Sequence, residues 1–318
     1  MKMPVFERYI AELIEKSTIE VPVWNIEKAR GNGKGAGWNY VDGCMILAML
    51  EIYQATGEKK YYDFSDAFID YRVAEDGTIA GYRVEEYNID SVNAGKTLFA
   101  LYALNGKEKY RKAIDLIYSQ IQTQPRTEEG NFWHKKIYPN QVWLDGLYMG
   151  QPFYMEYETK FNGKKNYQDI FDQFSNVVKH MRDEKTGLYY HAYDASKKAF
   201  WCDKQTGLSR NFWLRAIGWY SMAYSLLKGV RLGFLPEEYR EYGIRAFQGI
   251  CDKYLKETDG HLNLGGICLV AGLGPEDNTR RDGTFEYYMS EPIVENDAKG
   301  VGPLLLAYTE LRRLDGLK

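Results

Sequence analysis

The sequence has few of the residues that define several large classes of protein. Nine prolines among 318 residues, together with a hydrophobic share of 45%, exclude a disordered chain. Its four cysteines contain no CxxC pair, so neither a disulfide framework nor a zinc ribbon is indicated. They are Cys44, Cys202, Cys251 and Cys268. No apolar run reaches the roughly 18 residues that a membrane-spanning helix needs. We therefore expect reduced thiols and no membrane span.

An excess of charge of one sign is also lacking. The chain carries 41 basic and 44 acidic side chains, a net charge of -3, without a block of lysine and arginine. This balance predicts neither a nucleic acid nor an anionic membrane as partner. The first 18 residues, MKMPVFERYIAELIEKST, have acids at helical spacing and lack the apolar core and cleavage site of a signal peptide. We expect a cytoplasmic monomer or homodimer that binds a small molecule.

Several catalytic motifs are missing as well. The sequence contains no HExxH, no EF-hand loop, no Walker glycine pattern and no GxSxG elbow. The glycines of GNGKGAG at 31–37 do not follow a predicted strand, so we interpret them as a mobile lip over a cavity. A metal or nucleotide site is therefore not predicted.

What the chain does contain is a repeat. Three segments align: ATGEKKYY at 55–62, LNGKEKYR at 104–111 and FNGKKNYQ at 161–168. Each places a glycine at the left-handed position that ends a helix and a tyrosine four residues later, where the next helix begins. These glycines are Gly57, Gly106 and Gly163. Repeats of about 50 residues, each one helical hairpin, predict an all-α (α/α)6 barrel of six hairpins that forms a single domain over residues 1–318.

The segments before the glycines are more apolar than those after them, so we expect inner and outer helices in alternation. The apolar ones include CMILAMLEIYQAT, AGKTLFALYAL, LYMGQPFYMEYETKF, FWLRAIGWYSMAYSLLKGV and KGVGPLLLAYTELRRL. Strand signals are weak and fall in the long links at 130–136 and 187–194. The Gly-rich segment 261–274 is expected to form a short, irregular element.

Acidic residues recur at the starts of the inner helices. Asp42, Asp90 and Asp145 align in YVDGCM, NIDSVN and WLDGLY, and Asp297 has a comparable place in VENDAKGVG. Aspartate before a helix is a favoured N-cap, and we interpret Asp42 and Asp297 in this way. Parallel inner helices would bring their first residues to one end of the barrel. Asp90 and Asp145 are therefore predicted to face a common cavity, and the apolar neighbours of Asp145 suit a general acid.

Further polar and aromatic side chains come from the links and from one inner helix. They are His134, Lys135, His191, Trp213, Arg215 and Trp219. Taken singly, each histidine and each aromatic residue has a structural explanation in packing or hydrogen bonding. Arg215 is harder to explain in this way, because a guanidinium in an apolar helix is costly unless it meets an anion. We interpret it as a clamp for a substrate carboxylate.

Four blocks of this sequence together resemble glycoside hydrolase family 105, the unsaturated rhamnogalacturonyl hydrolases. They are WNYVDG, HKKIYPNQVWLDGLYMG, FWLRAIGWY and RDGTFEYYMSEPIVENDAKGVGPLLLAY, and they span residues 38–308 in order. The resemblance implies an (α/α)6 barrel without a metal or organic cofactor. It also implies hydration of the C-4 to C-5 double bond that a polysaccharide lyase leaves in a terminal uronic acid. By this resemblance Asp145 is the acid and base, and Asp90 binds sugar hydroxyls and influences it.

The same resemblance assigns binding roles to the remaining candidates. Arg215, with Lys135, would neutralise the substrate carboxylate. The flat side chains of Trp213, Trp219 and Tyr40 would contact the sugar ring. The histidines His134 and His191 would bind hydroxyls. The expected reaction is one step of pectin degradation, releasing rhamnose or an oligosaccharide that ends in rhamnose.

Other functions stay open at this point. The enzyme could act on unsaturated glucuronyl products of another lyase. A sugar 2-epimerase would share the barrel but needs paired histidines. A conventional glycosidase would use Asp90 and Asp145 as paired carboxylates on a saturated substrate. A saccharide-binding protein would show affinity without turnover.

Overall fold

The computed structural model describes residues 3–29, 37–213 and 216–315. Most of this part of the chain is helical. The α-helices are α1 (Met3–Glu15), α2 (Ile26–Ala29), α3 (Tyr40–Thr56), α4 (Lys59–Asp70), α5 (Ile89–Asn105), α6 (Glu108–Thr123), α7 (Leu144–Phe161), α8 (Tyr167–Met181), α9 (Ala216–Arg231), α10 (Tyr239–Tyr254), α11 (Phe285–Ser290) and α12 (Ala298–Asp315). The strands are β1 (Gln141–Trp143), β2 (Ala192–Asp194), β3 (Leu255–Thr258), β4 (His261–Leu264), β5 (Ile267–Cys268) and β6 (Ile293–Val294). A 3-10 helix spans Val84–Glu86.

The glycines of the repeat end the inner helices as predicted. Gly57 and Gly106 directly follow α3 and α5 with φ angles of 73° and 68°, and Gly163 lies two residues beyond α7 with a φ of 63°. The amides of Gly57 and Gly106 donate to carbonyls four residues back and close the last helical turn. The outer helices then begin as the tyrosine spacing predicted, and Tyr61 and Tyr110 are buried.

The inner helices pack side by side in the order α9, α12, α3, α5 and α7. The helices α3 and α5 are buried on most sides, whereas α4 and α6 bury one face, which explains the difference in apolar content between the two sets. The first turn of α3 and the second turn of α5 come very close. A Cβ atom on Gly43 would lie 2.6 Å from the Cα of Ala94, so only glycine fits there. The predicted all-α (α/α)6 barrel is confirmed.

The strands form three antiparallel pairs within the described residues: β1 with β2, β3 with β4, and β5 with β6. The first pair joins the two long links where weak strand signals were predicted. In the link at 130–136 only a single bridge is described, between Arg126 and Phe132. The segment 261–274 is irregular, as expected, and contributes β4 and β5.

One buried hydrophobic cluster extends from Phe6 in α1 to Leu314 in α12. It includes side chains from both the inner and the outer helices. Within the described ranges, no helix combines the length and the apolar character required to cross a membrane.

Candidate active site

The acids at the helix starts do not all have the predicted role. The N-cap of α3 is Asn39, and Asp42 lies in the first turn, so the interpretation of Asp42 as the N-cap was wrong. Its carboxylate instead accepts hydrogen bonds from Trp24 Nε1 at 3.2 Å, Asn25 Nδ2 at 3.2 Å and Asn39 Nδ2 at 2.7 Å. Asp42 is therefore a buried structural acid that fastens the residues before α3 to the barrel.

The capping role of Asp297 is confirmed. Its Oδ1 accepts from the backbone amide of Lys299 at 2.9 Å, at the start of α12, and the Lys299 ammonium lies 3.0 Å from the same oxygen. Asp90 and Asp145 differ from it, because the N-caps of α5 and α7 are Asn88 and Trp143. Both acids are the second residue of their helices, so their side chains do not serve as N-caps.

The carboxylate of Asp90 lies between the Lys135 ammonium and the His134 imidazole. Lys135 Nζ lies 2.7 Å from its Oδ2, and His134 Nε2 lies 3.4 Å from its Oδ1. Burial acts to raise the pKa of Asp90, but Lys135 and His134 outweigh it and hold the pKa well below the ordinary value. Burial likewise acts to lower the pKa of Lys135, and the Asp90 carboxylate raises it above the ordinary value. The pair is therefore ionised at neutral pH.

Asp145 lies next to this pair and is not tied in the same way. One oxygen or nitrogen from each of Asp90, His134 and Asp145 lies within 4.8 Å of the other two. The Oδ1 atoms of Asp145 and of Asp90 are both buried without a hydrogen-bond partner among the described residues, but Asp145 lacks an ion pair of the kind that Asp90 makes with Lys135. A buried carboxylate oxygen without a partner costs free energy unless something else binds it. The arrangement suits a group that acts on a ligand.

Backbone hydrogen bonds bring the links to the helix starts. The amide of Ile89, the first residue of α5, donates to the carbonyl of His134 at 3.0 Å. The amide of His134 donates to Gln141 in β1 at 2.8 Å. Leu144, the first residue of α7, donates to the carbonyl of His191 at 3.0 Å. Because orphan amides of two helices are used in this way, the two histidines are fixed beside the two acids.

Aromatic side chains form a wall beside the acids. The rings of Trp143 and His134 stack at 4.4 Å and 5°, and His191 meets the same indole edge-on at 5.5 Å. His191 Nδ1 is 2.7 Å from the Tyr288 hydroxyl, and Trp213 stacks on Tyr288 at 4.2 Å. Both histidines therefore contact the same indole.

The structure therefore groups most of the predicted site residues. Asp90, His134, Lys135 and Asp145 are neighbours, and the wall carries His191 and Trp213. Tyr40 begins α3, and its phenol is close enough to Lys135 to add to the raised pKa of that ammonium. The predictions for Arg215, for the side chain of Trp219 and for residues 31–36 of the lip concern parts of the chain outside the described residues.

Two members of the wall were missed by the sequence argument. Tyr138 stacks on Trp143 at 5.1 Å, and Tyr288 connects His191 to Trp213. Both belong to blocks that carry the family resemblance. Their spacing alone gave no signal, because tyrosine is common in this chain and its packing role is the ordinary one.

The three neighbouring donors also have the spacing of a small cation site. Asp90 is already neutralised by Lys135 at 2.7 Å, which lowers the attraction of this site for a metal ion. The expectation that no metal is needed stays a prediction.

Comparisons with known proteins agree with this geometry. The model of Glycosyl Hydrolase Family 88 matches residues 14–225 and 221–315. A solved glycoside hydrolase from family 105, from C. acetobutylicum ATCC 824, is 40% identical, with a TM-score of 0.83 over 95% of this chain and 99% of that chain. A possible family 105 member from Salmonella enterica serovar Paratyphi A, 18% identical, shares the fold with a TM-score of 0.75 over 99% of this chain and 95% of that one. The unsaturated rhamnogalacturonyl hydrolase YesR of Bacillus subtilis is 28% identical over 191 residues, which are 58% of this chain and 52% of that protein.

A helical barrel with two carboxylates at one end and these matches define a glycoside hydrolase. The chain belongs to glycoside hydrolase family 105, within the group that the family 88 model covers. It is therefore an enzyme that acts on a saccharide, and the interpretation as a non-catalytic binding protein is set aside.

Proposed function

We propose that this enzyme is an unsaturated rhamnogalacturonyl hydrolase. The observation that carries the proposal is the asymmetry of its two acids. Asp90 is paired with Lys135 at 2.7 Å and lies 3.4 Å from His134, whereas no described ion pair or hydrogen bond reaches the neighbouring Asp145. A carboxylate whose pKa is held low is a poor proton donor. Asp145 is therefore the proton donor of the site.

The proposed reaction requires only these two acids and one water molecule. Asp145 donates its proton to C-4 of the unsaturated uronate, and positive charge develops at C-5 and the ring oxygen. Water adds to C-5 and returns a proton to Asp145. The resulting hemiketal opens to a 5-ketone, and the hemiacetal left at C-1 releases the leaving sugar. The fixed negative charge of Asp90 stabilises the cationic transition state, since it needs no reorganisation during the reaction.

Substrate binding is proposed for the surrounding residues. Trp213, Trp219 and Tyr40 would contact the sugar ring, and His134 and His191 would bind its hydroxyls. Lys135 acts through Asp90, to which it is paired. From the sequence we propose Arg215 as the ligand of the uronate carboxylate. Arg215→Ala should then raise KM strongly, and an unchanged KM would count against that role.

The leaving sugar is proposed to be rhamnose. This choice is supported by the similarity to the Bacillus subtilis YesR protein, which is named for that substrate, and by the motif blocks of the sequence. Unsaturated glucuronyl substrates are the alternative within the same chemistry. A panel of unsaturated disaccharides that differ only in the leaving sugar separates the two.

The direct test follows the conjugated alkene. An unsaturated galacturonyl-rhamnose disaccharide is incubated with wild type and with Asp145→Asn, and ultraviolet absorbance is recorded. We expect the signal to disappear with wild type and to persist with the variant. If the alkene is consumed by both proteins, Asp145 is not the acid. If neither consumes any member of the panel, the proposed reaction is wrong.

A second function has one observation in its favour. The carboxylates of retaining glycosidases are about 5–5.5 Å apart, and one oxygen of Asp90 lies within 4.8 Å of one oxygen of Asp145. In that case Asp90 would attack the sugar as a nucleophile. Its pairing with Lys135 makes it a weak nucleophile, and so we rank this function second. Release of sugar from the saturated disaccharide would favour it.

We also propose a single-domain cytoplasmic protein that is a monomer or homodimer. One buried cluster joins α1 to α12, which supports a single domain. All four cysteines are free thiols, which fits a reducing compartment. Cell fractionation and light scattering test the location and the oligomeric state.

A further inference from the structure

A small cavity lies beside His134, and Asp90 is not among the residues that line it. Its volume is about 20 Å³, enough for one water molecule. The first two turns of α7 form one side, through Gly146, Leu147 and Gln151, and α8 contributes Gln173. The cavity is therefore enclosed by the same helix that carries Asp145.

Four buried polar atoms that line this cavity have no hydrogen-bond partner among the described residues. They are Trp133 Nε1, His134 Nδ1, Gln151 Oε1 and Gln173 Nε2. Leaving a buried polar group unsatisfied costs about 1–3 kcal/mol, and such groups are rare in folded proteins. Four of them around one cavity indicate a common polar ligand.

The orientation of both glutamine amides follows from their other contacts. The backbone amide of Phe132 can only donate, and it lies 3.2 Å from Gln173 Oε1, so the oxygen of that side chain faces Phe132. Gln151 Nε2 donates to the same oxygen at 3.0 Å. Gln173 Nε2 and Gln151 Oε1 must therefore point into the cavity, one as a donor and the other as an acceptor.

We propose that a single buried water fills this cavity and fixes the tautomer of His134. The water accepts from Trp133 Nε1 and from Gln173 Nε2, which uses both of its lone pairs. Its two hydrogens then go to Gln151 Oε1 and His134 Nδ1. Because Nδ1 is an acceptor in this arrangement, the imidazole proton is on Nε2, the ring nitrogen that lies 3.4 Å from the otherwise unpartnered Asp90 Oδ1.

This assignment makes Trp133, Gln151 and Gln173 positioning residues. They act through the water on His134, whose protonated Nε2 then faces Asp90 Oδ1 at 3.4 Å. Gly146 belongs to the same device, because a Cβ atom there would lie 3.2 Å from His134 Nδ1 and would crowd the ring against the cavity. The water and the tautomer do not depend on the identity of the substrate; only the kinetic consequence rests on the proposed function.

The test has two arms that need no substrate. A high-resolution crystal structure should show one water within about 2.6–3.2 Å of the four atoms. Nitrogen-15 spectra of histidine-labelled protein, with His134 assigned by comparison with His134→Gln, should show the proton on Nε2. A dry cavity, or a His134 that is protonated on Nδ1, would overturn the proposal.

A matched pair of variants supplies the kinetic arm. Gln151→Leu removes the acceptor and should lower kcat about five- to tenfold, with a smaller change in KM and loss of the pure Nε2–H tautomer. Gln151→Glu should restore most of the activity, since a buried neutral carboxyl offers one acceptor to the water and one donor to Gln173. A merely structural Gln151 would change the folded fraction and leave the tautomer and the kcat of folded enzyme unaltered. That result would contradict the positioning role.

Discussion

Helix α7 carries a carboxylate near each end, and the two have opposite surroundings. Glu158 is fully buried and accepts from the Tyr118 hydroxyl at 2.6 Å, from Asn162 Nδ2 at 2.9 Å and from the amide of Asn166 at 3.0 Å. Asp145, near the first residue of the helix, has a buried oxygen that no described residue binds. The contrast separates a carboxylate that stabilises the fold from one that is kept for a ligand.

The largest effect is expected at Asp145. Asp145→Asn keeps the size of the side chain and removes the proton donor, so kcat should fall by about 10²- to 10⁴-fold. The free energy of unfolding should hardly change, because no described hydrogen bond is lost. Alkene absorbance and thermal unfolding measure the two quantities. A variant that loses stability but retains turnover would mean that Asp145 stabilises the fold and is not the proton donor.

Asp90→Asn should lower kcat by about tenfold or more and also destabilise the protein. The change removes the negative charge at the site and leaves the Lys135 ammonium without its partner. We expect a loss of about 1–3 kcal/mol in unfolding free energy at pH 7, as for hydrogen bonds to charged groups. Urea unfolding and steady-state kinetics provide the measurements. Unchanged stability would show that the pair contributes little to the fold.

The contribution of Asp90 to the free energy of unfolding should decrease at acid pH. The pKa of Asp90 is lower in the folded protein than the value of about 3.9 in an unfolded chain. Its contribution is therefore complete above about pH 5 and decreases as the pH falls below about 4. The difference in unfolding free energy between wild type and Asp90→Asn should decrease as the pH falls from 6 to 3, a range set by the pKa of aspartate in the unfolded chain. A constant difference would contradict the ionised pair.

Glu158→Gln should lower stability and leave turnover nearly unchanged, the opposite of the effect expected for Asp145→Asn. Burial acts to raise the pKa of Glu158, but hydrogen bonds from Tyr118, Asn162 and Asn166 lower it below the ordinary value. Losing the charge should reduce the free energy of unfolding by about 1–3 kcal/mol. The kcat of the folded enzyme should stay within about twofold of wild type, a change of less than 1 kcal/mol. A large loss of kcat would mean that the two ends of α7 are coupled.

The smallest effect is expected from chelators. Because Lys135 already neutralises Asp90, dialysis against EDTA should leave kcat and KM unchanged. Restoration of a lost activity by added Ca²⁺ or Mn²⁺ would show that the three neighbouring donors hold a metal ion.

Much of the fold was predictable because its signals are local. A glycine at the left-handed position and apolar residues at helical spacing belong to single segments, so Gly57, Gly106 and Gly163 located the hairpins correctly. The N-cap of α3 was assigned to Asp42 instead of Asn39, because a shift of three residues in a helix start is not visible in the pattern.

The site was predictable only in part, for a different reason. Asp90 and Asp145 were found because they occupy equivalent places in the repeat. The contact of Asp90 with Lys135 joins residues 45 positions apart and depends on how the link folds back to the start of α5. Likewise, the hydrogen-bond donors to Glu158 come from α6 and from the turn after α7, and nothing in the segment around Glu158 predicts them.

The distance between Asp145 and Glu158 matters for changing this enzyme. Thirteen residues of helix at about 1.5 Å each separate Asp145 from Glu158 by roughly 20 Å. The side chains that we propose to bind the sugar come largely from the links that pair as β1 and β2, and the links do not contact Glu158 in any described hydrogen bond. The links could therefore be varied to select for other leaving sugars, while the hydrogen bonds around Glu158 at the other end of the barrel continue to stabilise the fold.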